Sequence, residues 1–470
     1  MRYVSTRGDA PAVSFADAMI TGLAPDGGLY VPEALPEIPA VELRGWVDLS
    51  YAELAAEVMA RFAPDMARDT IDAACAASYS AEVFGSAEVA PLTPLAADTW
   101  LLRLANGPTL AFKDMAMQLL GRLFDAELAR RGETLLVVGA TSGDTGSSAE
   151  YAMIGRNNIS VVMLSPWGRV SEFQAAQMYS IDAPNIVNLA IKGVFDEAQD
   201  LVKAINADAA FKARHSIGAV NSINWARVAA QIVYYVWGYL RLAPGVDREI
   251  QVSVPTGNFG NIYAGTIARR LGLPIRFILA TNENDVLDEF FRTGIYRVRP
   301  TAEVAETSSP SMDIAKASNF ERLIHDVHSG DGLAVRELWG QLEQTGRFDL
   351  SAHSGFGGLS DWIASGASTH ARRIETIRRV AVEDGVVIDP HTADGVYVGR
   401  DLRSPGPLIC LETAQPAKFG ATIVEALGQL PPRPPAFVGL EERPRHVRVI
   451  DPDVDAVRAA IEELAGRLPG

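Results

Sequence analysis

Cysteine is scarce. The 470 residues hold two, Cys75 and Cys410, far apart in the chain. That excludes a disulfide framework and predicts buried free thiols in a reducing compartment. Histidine is scarce too: seven residues lie scattered, and the His325/His328 pair lacks a third ligand nearby, so no metal site is expected. That pair reads as a solvated helix face, and His391, in Asp389-Pro-His-Thr392, as a structural hydrogen-bonding residue. Positive charge falls short, with 42 Lys and Arg against 58 Asp and Glu. The net charge of −16 argues against nucleic-acid partners and against adhesion to anionic membranes. Long apolar runs are missing. The most apolar helical stretch, residues 228–240, is too short for a bilayer and contains Gln231. The start, Met1-Arg-Tyr-Val-Ser-Thr-Arg-Gly8, lacks the apolar core of a signal peptide, so a cytoplasmic protein is the expectation. No Gly-x-Ser-x-Gly elbow occurs, which removes the support for a serine hydrolase.

Core-forming material is ample: 48% of residues are hydrophobic and 21% charged, the balance of a soluble globular protein. The length predicts two or three domains. Residues 1–95 read as an N-terminal segment packing on the catalytic body, with helices at 52–62 and 69–77. Residues 96–240 alternate strand and helix, with strands at Leu101-Leu-Arg-Leu104, Thr134-Leu-Leu-Val-Val138 and Val161-Val-Met-Leu164. Residues 241–470 repeat the unit, with strands at Ile250-Gln-Val-Ser-Val254 and 275–280 and a helix between. A helical section over 281–376 follows, then returning strands at Val386-Val-Ile388 and Pro407-Leu-Ile-Cys-Leu411. In the tail, Asp451 is expected as the N-cap and Pro452 as the first residue of a helix. Val454, Val457, Ile461, Leu464 and Leu468 form its apolar stripe. The fold class is α/β, with two similar parallel-sheet halves.

Two strand-to-helix loops are rich in glycine and small polar residues: Gly139-Ala-Thr-Ser-Gly-Asp-Thr-Gly146 and Pro255-Thr-Gly-Asn-Phe-Gly-Asn261. Neither has the Lys-Ser/Thr of a nucleotide loop or the spacing of a dinucleotide fingerprint. Their exposed N–H groups at helix starts suit an anion, with a plain tight turn as the alternative for either loop alone. A third stretch, Asn221-Ser-Ile-Asn-Trp-Ala-Arg227, could hold a second anion; Arg227 alone could equally be a surface ion-pair residue.

Lys113 stands out among the lysines. It follows the turn Gly107-Pro108, lies between Phe112 and Asp114, and precedes a helix whose apolar positions are Ala116, Leu119, Leu120, Leu123, Phe124 and Leu128. A helix N-terminus and an apolar setting both disfavour an ammonium ion, and a neutral lysine amine can form a Schiff base with a carbonyl. A solvated lysine at a helix start is the competing reading. One such lysine together with two or three anion-holding loops is what a pyridoxal phosphate enzyme needs: the cofactor brings an aldehyde and a phosphate, and an amino-acid substrate brings a carboxylate.

Over nearly its whole length the sequence resembles the threonine synthases. The resemblance rests on Tyr3-Val-Ser-Thr-Arg-Gly8, Gly22-Leu-Ala-Pro-Asp-Gly-Gly-Leu-Tyr-Val-Pro-Glu33, Gly107-Pro-Thr-Leu-Ala-Phe-Lys-Asp114 and the three loops above. Ser309-Pro-Ser-Met-Asp313 and Glu412-Thr-Ala-Gln-Pro-Ala-Lys-Phe419 follow in order. It implies fold type II architecture, with pyridoxal 5'-phosphate in the cleft between two α/β domains. It implies Lys113 as the cofactor-bearing and catalytic residue. Gly257, Asn258, Phe259, Gly260 and Asn261 would cup the cofactor phosphate, and Thr413 would face the pyridine nitrogen. Thr141, Ser142, Asp144 and Thr145 would grip the substrate carboxylate and its surroundings, and Asn221, Ser222 and Arg227 the substrate phosphate. The implied reaction turns O-phospho-L-homoserine and water into L-threonine and phosphate. A monomer or homodimer acting on a small molecule is expected. Many family members carry histidine where this chain has Asn106 and Gln415; amides cannot shuttle protons at neutral pH, so a structural role is expected for both. A dehydratase acting on threonine or serine, or a paralogue that binds a phosphorylated ligand without turnover, are the competing functions.

Overall fold

Residues 1–218 and 223–466 are described by the computed structural model. Runs of β-branched and aliphatic residues form strands covered on both faces, as parallel sheets require. Ile159–Pro166 is buried at every position. It lies in a five-stranded parallel sheet in the order Val447–Ile450, Ile186–Ile191, Ile159–Pro166, Leu135–Ala140, Ile217–Gly218. A second sheet has six strands in the order Ile363–Ala367, Ile275–Thr281, Ile250–Pro255, Leu408–Glu412, Thr99–Arg103, Leu92–Leu95. Only the edge strand Leu92–Leu95 runs antiparallel there. The expected α/β fold with two parallel sheets is what the chain adopts.

The chain crosses between the sheets where the sequence reading drew simple cuts. Thr99–Arg103 pairs with Leu408–Glu412, so a strand from the 96–240 stretch completes the sheet of the later half. Val447–Ile450 crosses the other way and pairs with Ile186–Ile191. The section 281–376 is helical for the most part but also supplies the strand Ile363–Ala367 and the antiparallel pair Ile295–Arg297 with Arg347–Asp349. Val386-Val-Ile388 is not a strand; it links His370–Glu383 to Pro390–Leu402 and buries Ile388. The tail helix is Val454–Ala465, and Asp453 caps it, its side chain accepting from Asp455 N–H. Asp451, the expected cap, is ion-paired with Lys192 at 3.1 Å instead. Val457, Ile461 and Leu464 are buried as the stripe predicted, while Leu468 lies outside the described residues.

The helix Trp225–Leu242 is the spine of the molecule. It is buried from Trp225 through Leu240 and packs against Tyr51–Phe62, Asp114–Arg131 and Gly260–Arg270. Asn224 caps it, accepting from Ala226 N–H and donating to Met19 O at 2.7 Å. The N-terminal segment packs on this body. Tyr3–Ser5 pairs with Tyr30–Pro32, and Thr6 and Arg7 reach the Glu321 carboxylate, the hydroxyl at 2.6 Å. Fully buried Arg322 donates to Tyr30 O at 3.0 Å and Ile223 O at 2.6 Å, its guanidinium 5.6 Å from the Trp225 ring. His325, expected in solvent, is buried along with its helix from Phe320 onward. Both cysteines are buried and free. Among the described residues no helix is long and apolar enough to cross a membrane.

Candidate active site

The turn before Lys113 is built around a buried carboxyl. Asp114 accepts from Thr109 N–H and Thr109 Oγ1–H, both at 2.7 Å, and Thr109 Oγ1 is 2.8 Å from Ser148 Oγ. A Cβ on Gly107 would fall 2.6 Å from the Asp114 side chain, so the turn closes only over glycine. Leu110 is held at φ 58°, a costly conformation for a branched side chain, beside the reacting stretch. Two backbone bonds then stitch this turn to the segment after Leu408–Glu412: Phe112 N–H to Thr413 O at 2.9 Å and Gln415 N–H to Leu110 O at 3.0 Å. Gln415 Nε2 also donates to Asn106 Oδ1 at 3.1 Å, so the two residues that depart from the family pattern bond each other. Lys113 emerges as the residue before the helix Asp114–Arg131, its side chain 15% exposed.

Lys113 Nζ lies 3.7 Å from Asp144 Oδ2. Asp144 opens the helix Asp144–Met153 and is the hub of the pocket. Its Oδ1 accepts from Lys418 Nζ and Gln174 Nε2, each at 2.7 Å, and its Oδ2 accepts from Ser311 Oγ at 3.0 Å. Burial would raise this carboxyl, but Lys418, Lys113 and Gln174 outweigh it and hold Asp144 well below the usual carboxylate range. The stability this ionisation contributes is therefore present above the ordinary carboxylate range and is lost as pH falls below it. Burial lowers the Lys113 ammonium, Asp144 opposes that, and Lys418 and Arg227 reinforce it. His391 braces the wall behind: its Nε2 accepts from Ser311 N–H at 3.0 Å, and its Nδ1 is 2.8 Å from Asp389 Oδ1. Its role is the structural one expected.

The second glycine loop meets the same pocket through Ser311. A Cβ on Gly257 would stand 2.9 Å from Ser311 O and 3.2 Å from Met312 Cα, so the loop presses against the Ser309-Pro-Ser-Met-Asp313 turn. Asn258 is exposed, and its carbonyl accepts from Asn319 N–H at 3.0 Å. Phe259 sits at φ 65° and starts the helix Gly260–Arg270. Asn261 Oδ1 accepts from Tyr234 OH at 2.6 Å and Tyr235 OH at 2.7 Å. Both phenols are buried and shifted well above their usual range, so they remain neutral donors. They fix the amide with Nδ2 turned away, and Nδ2 is buried without a partner. Thr413 Oγ1 is likewise buried and unpartnered. So are Arg227 Nε and Nη1, on a side chain 3% exposed whose pKa burial lowers to about 10. Buried polar atoms are mostly satisfied in folded proteins, so the orphaned Thr413 and Arg227 atoms beside the Lys113 stretch, and Asn261 Nδ2 at the second glycine loop, are candidates to receive a ligand. They fit pyridoxal phosphate: a hydroxyl for a ring nitrogen, and an amide with a helix start for a phosphate.

Of the residues named from sequence, Lys113, Asp144, Arg227, Thr413 and the loop 257–261 come together. Thr141 spends its hydroxyl inside its own loop, accepting from Gly143 N–H at 3.0 Å and Gly146 N–H at 2.9 Å. Ser142 is exposed and Thr145 half-buried. Asp144 holds cations, and its carboxylate repels another carboxylate, so the loop's unspent N–H groups and the Ser142 and Thr145 hydroxyls are the donors left to receive one. Asn221 and Ser222 lie outside the described residues. The sequence reading missed Lys418, Gln174 and Ser311. Lys418 stood in a quoted motif, and its signal was a lysine flanked by Ala417 and Phe419 after a proline.

Comparison with known proteins agrees with this geometry. Residues 2–79 match the threonine synthase N-terminal family, residues 85–338 the pyridoxal-phosphate dependent enzyme family, and residues 392–461 the threonine synthase C-terminal family. A threonine synthase of Corynebacterium glutamicum is 52% identical over 98% of this chain and 98% of its own length. The chain belongs to the threonine synthase family. Another threonine synthase, from Methylobacillus glycogenes, is 50% identical over 98% of this chain and 100% of its own length. Among solved structures, a PLP-bound threonine synthase from Brucella melitensis superposes with a TM-score of 0.94 at 41% identity, covering 99% of both chains. A yeast threonine synthase gives 0.92 at 36% identity, again over 99% of both.

Proposed function

We propose that Lys113 is the reacting amine of this threonine synthase, and that the orphaned polar atoms around it receive the cofactor and substrate anions. The activity is the pyridoxal 5'-phosphate-dependent conversion of O-phospho-L-homoserine and water to L-threonine and phosphate, the last step of threonine biosynthesis. The observation that carries the site assignment is the Lys113 amine 3.7 Å from Asp144, on a turn bonded to the backbone of Thr413, whose hydroxyl is unpartnered, and within electrostatic reach of Arg227, whose Nε and Nη1 are unpartnered.

Gly257, Asn258, Phe259, Gly260 and Asn261 would hold the cofactor phosphate at a helix start, with Asn261 Nδ2 as side-chain donor. When bound, the cofactor supplies an aldehyde for the amine and a ring system that takes up negative charge. Thr413, a hydroxyl, would face the ring nitrogen without giving it an acidic partner. Lys113 would take protons from the substrate α- and β-carbons as base and return protons to the γ- and α-carbons as acid, water supplying the hydroxyl at the β-carbon. Asp144, 3.7 Å away, would hold the proton on that amine between transfers. Arg227, with Asn221 and Ser222, would take the substrate phosphate, whose bond breaks at the γ-carbon; the N–H groups of Ser142, Asp144 and Thr145 would take the carboxylate, since those of Thr141 and Gly143 are already bonded. We also infer a cytoplasmic enzyme, monomeric or homodimeric, without a nucleic-acid partner; the net charge of −16 supports the last point.

Purified chain given O-phospho-L-homoserine is expected to release phosphate and threonine in equal amounts, with pyridoxal phosphate restoring activity to stripped protein. An oxo-acid and ammonia from threonine or serine would favour the dehydratase reading instead.

A further inference from the structure

Lys418 is buried, and its amine reaches Asp144 of the first glycine loop without touching the orphaned donors. It lies in the turn Pro416–Phe419, 2% exposed. Its Nζ is 2.7 Å from Asp144 Oδ1 and donates to Thr109 O at 2.7 Å. A buried ammonium is costly even when paired, and an apolar side chain could fill the same space. The charge therefore calls for a task.

The geometry supplies one. Two lysines divide one carboxylate: Lys418 holds Oδ1, and Lys113 stands 3.7 Å from Oδ2. Thr109 O belongs to the turn that delivers Lys113, so Lys418 ties Asp144 and that turn together at a single nitrogen. We propose that Lys418 is a positioning residue for Lys113: it pins Asp144 at one oxygen, sets a second positive charge behind it, and limits how much of the carboxylate's charge the Lys113 amine meets.

The groups facing Lys113 come from three elements. Asp144 comes from the helix Asp144–Met153, Lys418 from its turn, and Arg227 from the helix Trp225–Leu242. Adjacent Asp114 is occupied by Thr109, and Gln174 and Ser311 are neutral. Burial, Lys418 and Arg227 favour the neutral amine, and Asp144 favours the ammonium. Without Lys418, Asp144 holds the proton on Lys113 more firmly, and the amine becomes reactive only at higher pH. This inference rests on Lys113 as the reacting amine, but it concerns that amine's proton and is read there directly.

The test is pulse labelling of Lys113 in full-length, cofactor-free protein with acetic anhydride across pH, quantified by peptide mass spectrometry. In Lys418→Gln the labelling midpoint moves to higher pH, and the rate at neutral pH falls about tenfold, the effect of one neighbouring charge. Lys418→Arg keeps the wild-type midpoint. Asp144→Asn, measured independently, moves it to lower pH. An unmoved midpoint in folded Lys418→Gln, or an upward shift in Lys418→Arg as large as in the glutamine variant, overturns the proposal. Should Lys418→Gln not fold, Lys418→Met decides by the same reading: a midpoint shifted upward supports the proposal and an unmoved one overturns it. Midpoints that move as stated in a protein that releases no phosphate from O-phospho-L-homoserine would refute the function and leave this inference standing.

Discussion

Lys113→Ala folds, fails to develop the cofactor's absorbance band when pyridoxal phosphate is added, and releases phosphate from O-phospho-L-homoserine at least about a thousandfold more slowly. The size follows from two losses at one atom. The amine is both the covalent anchor for an aldehyde and the only side chain placed to carry protons to and from carbon in the proposed scheme. Folding should survive because the side chain contributes little packing. The turn is held by Asp114 and Thr109, and the neighbouring backbone by Thr413 and Gln415. Removing the Lys113 charge also leaves Asp144 its bonds to Lys418, Gln174 and Ser311. A variant with wild-type rate and spectrum would contradict the assignment.

Arg227→Met is expected to move stability and function in opposite directions. In the cofactor-free chain Arg227 is a buried cation with two nitrogens unpartnered. Replacing it by an apolar side chain of similar length removes an uncompensated buried charge, which stabilises by about 1–3 kcal/mol. Urea denaturation of stripped protein reads this as a higher midpoint with unchanged slope. The same change removes the proposed anchor of the substrate phosphate. Losing a buried charge-assisted contact costs about 3 kcal/mol, so the O-phospho-L-homoserine concentration for half-maximal rate rises on the order of a hundredfold. A destabilised variant with an unchanged half-saturating concentration would show that the guanidinium is structural.

What the sequence disclosed, and what it hid, divide along contact distance. Lys113 was legible because its turn, its aromatic neighbour and its helix are consecutive. The glycine loops were legible for the same reason. Lys418 was less so: the flanking Ala417 and Phe419 hint at burial, but its partners Asp144 and Thr109 lie far upstream. The stretch 101–104 reads as a strand, and Thr99–Arg103 is one, yet nothing in the sequence of such a strand records which sheet it enters. The Leu408–Glu412 partner settles that. His325 was misplaced because its helix is buried from Phe320 through His325, which a His-x-x-His spacing does not reveal. Val386-Val-Ile388 has a strand's composition, but Asp389 caps the next helix immediately after it and leaves no length for pairing. Asn106 and Gln415 were read singly; their bond to each other makes them one structural feature.

The pocket contains two lysines, Lys113 and the buried Lys418, bonded or close to the two oxygens of one carboxylate, and the account stands on the first being the anchor. Borohydride reduction of the protein loaded with pyridoxal phosphate, followed by peptide mapping, distinguishes them. The pyridoxyl mass should fall on Lys113 alone; a label on Lys418, or on a surface lysine with Lys113 unmodified, would contradict the account.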